Sequence, residues 1–188
     1  EKTAEELVSQ VLRYREYFGE SGGITLSGGE PLMQPEFSTE IFKLCKEKGI
    51  HTCLDTSGCL LNEKIESLLS VTDMVLLDLK YTREEDYRRY VGCSLQSVLD
   101  FLTVLAERNI PTWLRQVVIP GKNDREENHQ LLQSIARRHK NVEKVELLPF
   151  RKLCREKYRK LKIPFPFENL PEADPEQVEQ AQRKWFSL

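Results

Sequence analysis

Strand-length and helix-length apolar segments alternate along this chain, and that alternation limits its fold more than any other feature. Strands rich in Val, Ile and Leu are expected at 23–27, 50–55, 74–79, 111–119 and 143–149. Helices are expected at 3–18, 36–48, 62–69, 94–107 and 124–139, with one more beginning near 83. Strands separated by helices pair in parallel, because a parallel neighbour can be reached only by a crossover. The runs "MVLLDLK" and "LRQVVIPG" are almost continuously apolar, which fits strands covered on both faces. The fold class is therefore α/β. The series opens on a helix, with Thr3 and Glu6 spaced as a capping box, so a β/α unit leads one to expect a further strand before it.

A chain of 188 residues, 39% hydrophobic and 31% charged, suffices for one sizeable core. A single domain over 1–188 is expected, with the Pro-rich segment and closing helix of 164–188 appended to it. Asp174, Pro175 and Gln177 mark the start of that helix. A formal net charge of -2 gives no electrostatic reason for a nucleic-acid or anionic-membrane partner. No apolar run approaches the roughly 18 residues of a membrane span, and "EKTAEELVSQ" has none of the regions of a signal peptide, so a cytoplasmic location is expected. The five cysteines, Cys45, Cys53, Cys59, Cys93 and Cys154, show no zinc or cluster spacing and fit a reducing compartment. Cys45 and Cys53 lie in apolar stretches as packing residues, and the other three read as inert thiols.

Polar residues gather where a buried strand has no structural use for them. "TLSGGE" ends in Glu30, "HTCLDTSG" in Asp55 and Thr56, "VLLDLK" in Asp78 and Lys80, "WLRQVV" carries Arg115, and "ELLPFR" ends in Arg151. Parallel α/β proteins build their sites at the carboxyl ends of strands. Each residue alone could be a cap or a structural ion pair. Together, three carboxylates and two or three cations suit a zwitterionic ligand. Period two places Asp78 and Lys80 on one side with Leu76, and turns Leu77 and Leu79 toward the helices. Gly28 and Gly29, lacking Cβ atoms, let a ligand reach backbone carbonyls that accept from an ammonium group, with Glu30 adding charge.

"SGGEPL", "HTCLDTSG", "VLLDLK", "LRQVVIPG" and "VEKVELLPF", in this order, resemble the radical S-adenosylmethionine (SAM) enzymes that activate glycyl radical enzymes. The resemblance covers about residues 3 to 160 and implies a partial parallel (β/α) barrel with SAM across its carboxyl-end face, here without its first strand and cluster loop. It further implies that Gly28, Gly29 and Glu30 receive the methionine amino group and that Asp78, Leu79 and Lys80 line the SAM site, Lys80 facing the methionine carboxylate. Arg115 and Arg151 are implied as further cofactor contacts, and Asp55, Thr56, the Leu76 carbonyl and Asp78 as a monovalent cation site.

The implied chemistry is one-electron cleavage of SAM by a four-iron four-sulfur cluster, followed by hydrogen abstraction from a glycine of the partner, pyruvate formate-lyase. Flavodoxin or ferredoxin is the implied electron donor, and a monomer the implied state. The family holds its cluster through CxxxCxxC, a spacing that does not occur in this sequence, so the chain alone is expected to be inactive. Arg151 stands where the family has histidine, and Cys154 where it has glycine. The residues alone also admit a Schiff-base aldolase-like barrel using Lys80, or a non-catalytic protein-binding barrel.

Overall fold

The computed structural model describes residues 2–19 and 22–186. Five strands, β1 (Gly23–Leu26), β2 (His51–Thr56), β3 (Met74–Asp78), β4 (Thr112–Val118) and β5 (Val142–Pro149), form one parallel sheet in the order β1-β2-β3-β4-β5. The helices are α1 (Ala4–Leu12), α2 (Pro35–Glu47), α3 (Glu63–Leu69), the single turn α4 (Glu84–Asp86), α5 (Leu95–Glu107), α6 (Glu126–Arg138), α7 (Arg155–Leu161) and α8 (Pro175–Phe186). When each strand pairs with its successor through crossovers of one hand, every crossover helix falls on the same face. Leu54, Val75, Leu77, Leu114 and Leu147 point to that face and are buried in one continuous core that runs from Ala4 to Val178.

The other face departs from the expectation of strands covered on both sides. Met74, Leu76, Asp78, Trp113, Arg115, Val117, Lys144 and Glu146 alternate with the core residues and remain half-exposed. Apolar runs such as "MVLLD" therefore carry a strict alternation of burial that their composition conceals. The ammonium of Lys144 lies 4.2 Å from the Trp113 ring centroid and bonds Glu146 at 2.7 Å, so the open face is organised by cation–π and ionic contacts.

Local signals account for most element ends. Thr3 and Glu6 form the expected box, at 3.3 Å from the Glu6 amide and 3.0 Å from the Thr3 amide. The first helix stops at Leu12 and gives way to a 3-10 turn, Arg15–Tyr17, so it is shorter than its apolar spacing implied. The helix expected near 83 is one α-turn continued by a π-helical segment, Tyr87–Val91, closed by Gly92 at φ 86°. That left-handed conformation suits glycine. The basic run after β5 folds as α7 and ends on Lys162 at φ 55°. α8 packs on β5, where Gln182 accepts from the Leu147 amide at 2.7 Å and donates to the Val145 carbonyl at 2.8 Å.

At the amino end of the sheet, Asp73 accepts from the Thr52 amide at 2.9 Å, from its hydroxyl at 3.1 Å, and from Lys46. Burial pushes this carboxyl up, but Lys46 and both Thr52 donors outweigh it and hold Asp73 below the ordinary carboxylate value. Asp73→Ala leaves the amide of fully buried Thr52 without its acceptor, and is expected to cost about 2 kcal/mol of stability at neutral pH. A depressed native pKa stabilises above the unfolded value and is lost as pH falls through the native one. Urea unfolding from pH 7 down to acid should show wild type and variant converging only below the ordinary range of an aspartate.

Candidate functional site

Register brings charges from three strands onto the open face at the carboxyl end of the sheet. Asp55 lies opposite Leu76, Asp78 opposite Arg115, and Arg115 opposite Glu146. Arg115 donates from Nε to Asp78 Oδ1 at 2.9 Å and from Nη2 to Asp55 Oδ1, while Lys80 Nζ donates to Asp78 Oδ2 at 2.6 Å. Two carboxylates are thus balanced by two cations, all part-buried. Burial pushes the Asp55 carboxyl up and the nearby Asp78 charge adds to this, more than Arg115 and Lys80 pull it down. Burial also works against the Arg115 charge, but Asp78 and Asp55 together outweigh it and hold the guanidinium more firmly protonated.

The glycine turn after β1 lies at the same end of the sheet. Gly28 and Gly29 adopt φ of 86° and 61°, and an added Cβ at either would meet nothing within 4 Å. These glycines are required by backbone conformation, and the space above them is open to a ligand. Glu30 has a different task from that expected. Its carboxylate accepts from the Leu32 amide at 3.1 Å, the Thr56 hydroxyl at 2.6 Å, and the Ser57 amide and hydroxyl at 2.9 and 2.6 Å. With every oxygen engaged, it ties the glycine turn to the end of β2.

Three expected residues stand apart from the cluster. Thr56 alternates with Asp55, so its buried hydroxyl serves Glu30 on the opposite side of the strand. Leu79 is fully buried toward the helices, its amide bonded to the Arg115 carbonyl and its own carbonyl to Gln116 Nε2 at 3.0 Å, so its side chain faces away from the cluster. Arg151 is exposed and pairs with Glu172 at 3.1 Å, and the same carboxylate accepts from the Lys152 amide at 2.9 Å. The chain beyond Phe150 is thereby fastened to the C-terminal segment, and Arg151 is turned to that contact.

Other residues position the cluster without having been singled out. The Tyr87 hydroxyl, fully buried, accepts the Lys80 amide at 3.0 Å, and Asn123 donates to the Lys80 and Val117 carbonyls at 3.2 and 2.9 Å. Gln116 carries a signal that could have marked it: a long amide at a position of β4 that faces the apolar core. Among the described residues, no group of three or more His, Cys, Asp or Glu side chains is arranged to hold a metal ion. Among the same residues, no helix is long and apolar enough to cross a membrane.

The Radical SAM superfamily description matches residues 1–132. The chain is 42% identical over 177 residues to the pyruvate formate-lyase-activating enzyme of Clostridium pasteurianum, covering 94% of this chain and 74% of that protein. It is 43% identical over 161 residues to the pyruvate formate-lyase 1-activating enzyme of Escherichia coli, covering 84% of this chain and 65% of the relative. A crystal structure of a domain of pyruvate-formate lyase-activating enzyme from Bacteroides vulgatus superposes with a TM-score of 0.69 at 25% identity, over 87% of this chain and 92% of that one.

Proposed function

The chain belongs to the radical SAM superfamily, in the family of the pyruvate formate-lyase-activating enzymes, and from that premise we propose that its strand-end face grips SAM within an activase that generates a glycyl radical on pyruvate formate-lyase. The observation that carries this reading is the pairing of an open glycine turn at Gly28 and Gly29 with the Asp55, Asp78, Lys80 and Arg115 cluster at one end of one sheet. A methionine moiety presents an ammonium and a carboxylate. Backbone carbonyls of the glycine turn accept from the ammonium, and Lys80, moving from Asp78, donates to the carboxylate. Lys80 is held by Asp78 at 2.6 Å, a contact that suits binding of a carboxylate, and membership of the radical SAM superfamily sets a Schiff-base role aside.

When bound, a four-iron four-sulfur cluster supplies the electron for SAM cleavage; the five cysteines of this chain lack the CxxxCxxC spacing, and no residue of it is assigned to the cluster. We extend the reading to a monovalent cation held by Asp55, Asp78 and the Leu76 carbonyl. Thr56 would contribute through its backbone, since its hydroxyl serves Glu30. Such a cation competes with Arg115, whose guanidinium already stands between the two carboxylates. Flavodoxin or ferredoxin as electron donor, a monomeric state and a cytoplasmic location complete the proposal.

Titration of the isotope-labelled chain with SAM, followed by amide NMR, tests the site. Shifts should centre on Ser27–Glu30 and Asp78–Lys80 with a millimolar dissociation constant, about 4 kcal/mol of binding, because no cluster iron anchors the ligand. Saturating SAM that moves neither segment sinks the assignment. In the cluster-loaded activase, Lys80→Ala should slow 5'-deoxyadenosine formation ten- to a hundredfold while leaving iron content unchanged, the effect of losing one charge-assisted bond worth roughly 1.5 to 3 kcal/mol.

A further inference from the structure

Cys59 and Cys93 lie 34 positions apart in sequence, yet their sulfurs approach to 2.7 Å. Both are half-buried. The turns that carry them are well fixed. Gly58, at φ 66°, is pressed against Leu77 and Phe101, where an added Cβ would fall 2.6 Å from Leu77 Cδ1, and Ser57 is bound twice by Glu30. On the other side Gly92, at φ 86°, closes the π-helical turn whose Tyr87 accepts the Lys80 amide. Two hydrogen-bonded turns thus hold two thiols within a small shift of the roughly 2.05 Å of a sulfur–sulfur bond.

We propose that Cys59 and Cys93 are a modification site, a dithiol that a low-molecular-weight disulfide converts reversibly to an intramolecular disulfide. Burial and the adjoining Cys59 sulfur push the Cys93 thiol up to about 12, and the first attack, by a thiolate, is assigned to Cys59. That thiolate attacks one sulfur of the oxidant, and the other half leaves as a thiol after taking up a proton. Cys93 then loses its proton and displaces the second half from Cys59. Two protein thiols are oxidised and one small disulfide is reduced to two thiols. The bond joins the turn that seats Glu30 to the turn that seats Lys80.

The test uses Cys154→Ser, which removes the exposed thiol, treated anaerobically with glutathione disulfide at mildly alkaline pH. The expected product is a monomer lighter by two hydrogens, with two fewer titratable thiols after denaturation and a dithiothreitol-sensitive cross-link between the peptides of Cys59 and Cys93. The closing rate should rise with pH, since Cys93 must give up its proton, and the melting midpoint of the oxidised form should rise by several degrees. Adding Cys93→Ser should leave Cys59 carrying glutathione and no cross-link. Glutathione on both cysteines, disulfide-linked dimers, or an unchanged thiol count would each overturn the proposal.

Discussion

Replacing Arg115 with methionine is expected to destabilise the protein by about 3 kcal/mol at pH 7, toward the lower end of what removal of one partner from a buried ionic group costs. Its side chain is only 16% exposed and lies between two carboxylates that are themselves 24% and 22% exposed. Methionine fills a similar volume but leaves Asp55 and Asp78 facing each other with only Lys80 in compensation. The Asp55 carboxyl should then rise further, because the pull of Arg115 is lost while burial and the Asp78 charge still push it up. A carboxyl raised in the native state costs nothing below its ordinary pKa, and the cost grows as pH climbs through the raised value. Guanidinium unfolding of wild type and variant should therefore differ most at neutral pH and converge in acid. Adding Asp55→Asn should recover part of the loss, giving a clear non-additivity. A pH-independent difference would mean that Arg115 matters through packing alone.

The second large effect is expected at Glu30. Glu30→Ala removes the acceptor for four donors at once, two backbone amides and two hydroxyls, and should cost about 3 kcal/mol. Glu30→Gln retains one carbonyl oxygen for Leu32 and Thr56 but sets an amide group against the Ser57 donors, so roughly half of that loss is expected. More telling is the ligand readout. Because Glu30 seats the glycine turn, both variants should blunt the SAM-induced shifts of Ser27–Glu30 while those around Lys80 weaken less. Equal weakening at both segments would show Glu30 to be a direct charge contact, as its position beside the glycines first implied.

These two residues also show how far local pattern reaches. Strand placement and the strand-end position of Asp55, Asp78, Lys80 and Arg115 follow from period-two and β/α rules that act over a few residues, and the structure gathers all four. Glu30 was legible as important, but its partners Thr56 and Ser57 lie 26 and 27 positions away, and nothing local pointed to them. Arg151 was drawn to the site by its place at a strand end, yet Glu172, 21 positions downstream, holds it elsewhere. Leu79 fell among the site residues because its neighbours did, although strand alternation already turned it to the core. The π-helical turn ending at Gly92 left no signature beyond the glycine, and its Tyr87 reads as an ordinary aromatic until the fold sets its hydroxyl on the Lys80 amide.

The strand order carries a consequence for the proposed SAM site as a mechanical object. Every ladder joins a strand to its immediate neighbour in sequence, so fraying at one border leaves the registers behind it untouched. The β3–β4 ladder, where Asp78 meets Arg115, is flanked by other strands on both sides. The glycine turn instead hangs from β1, a border strand of four residues among those described. One half of the proposed SAM grip is thus set in the middle of the sheet. The other is pinned to the strand beside it, because Glu30 accepts three bonds from Thr56 and Ser57 at the end of β2.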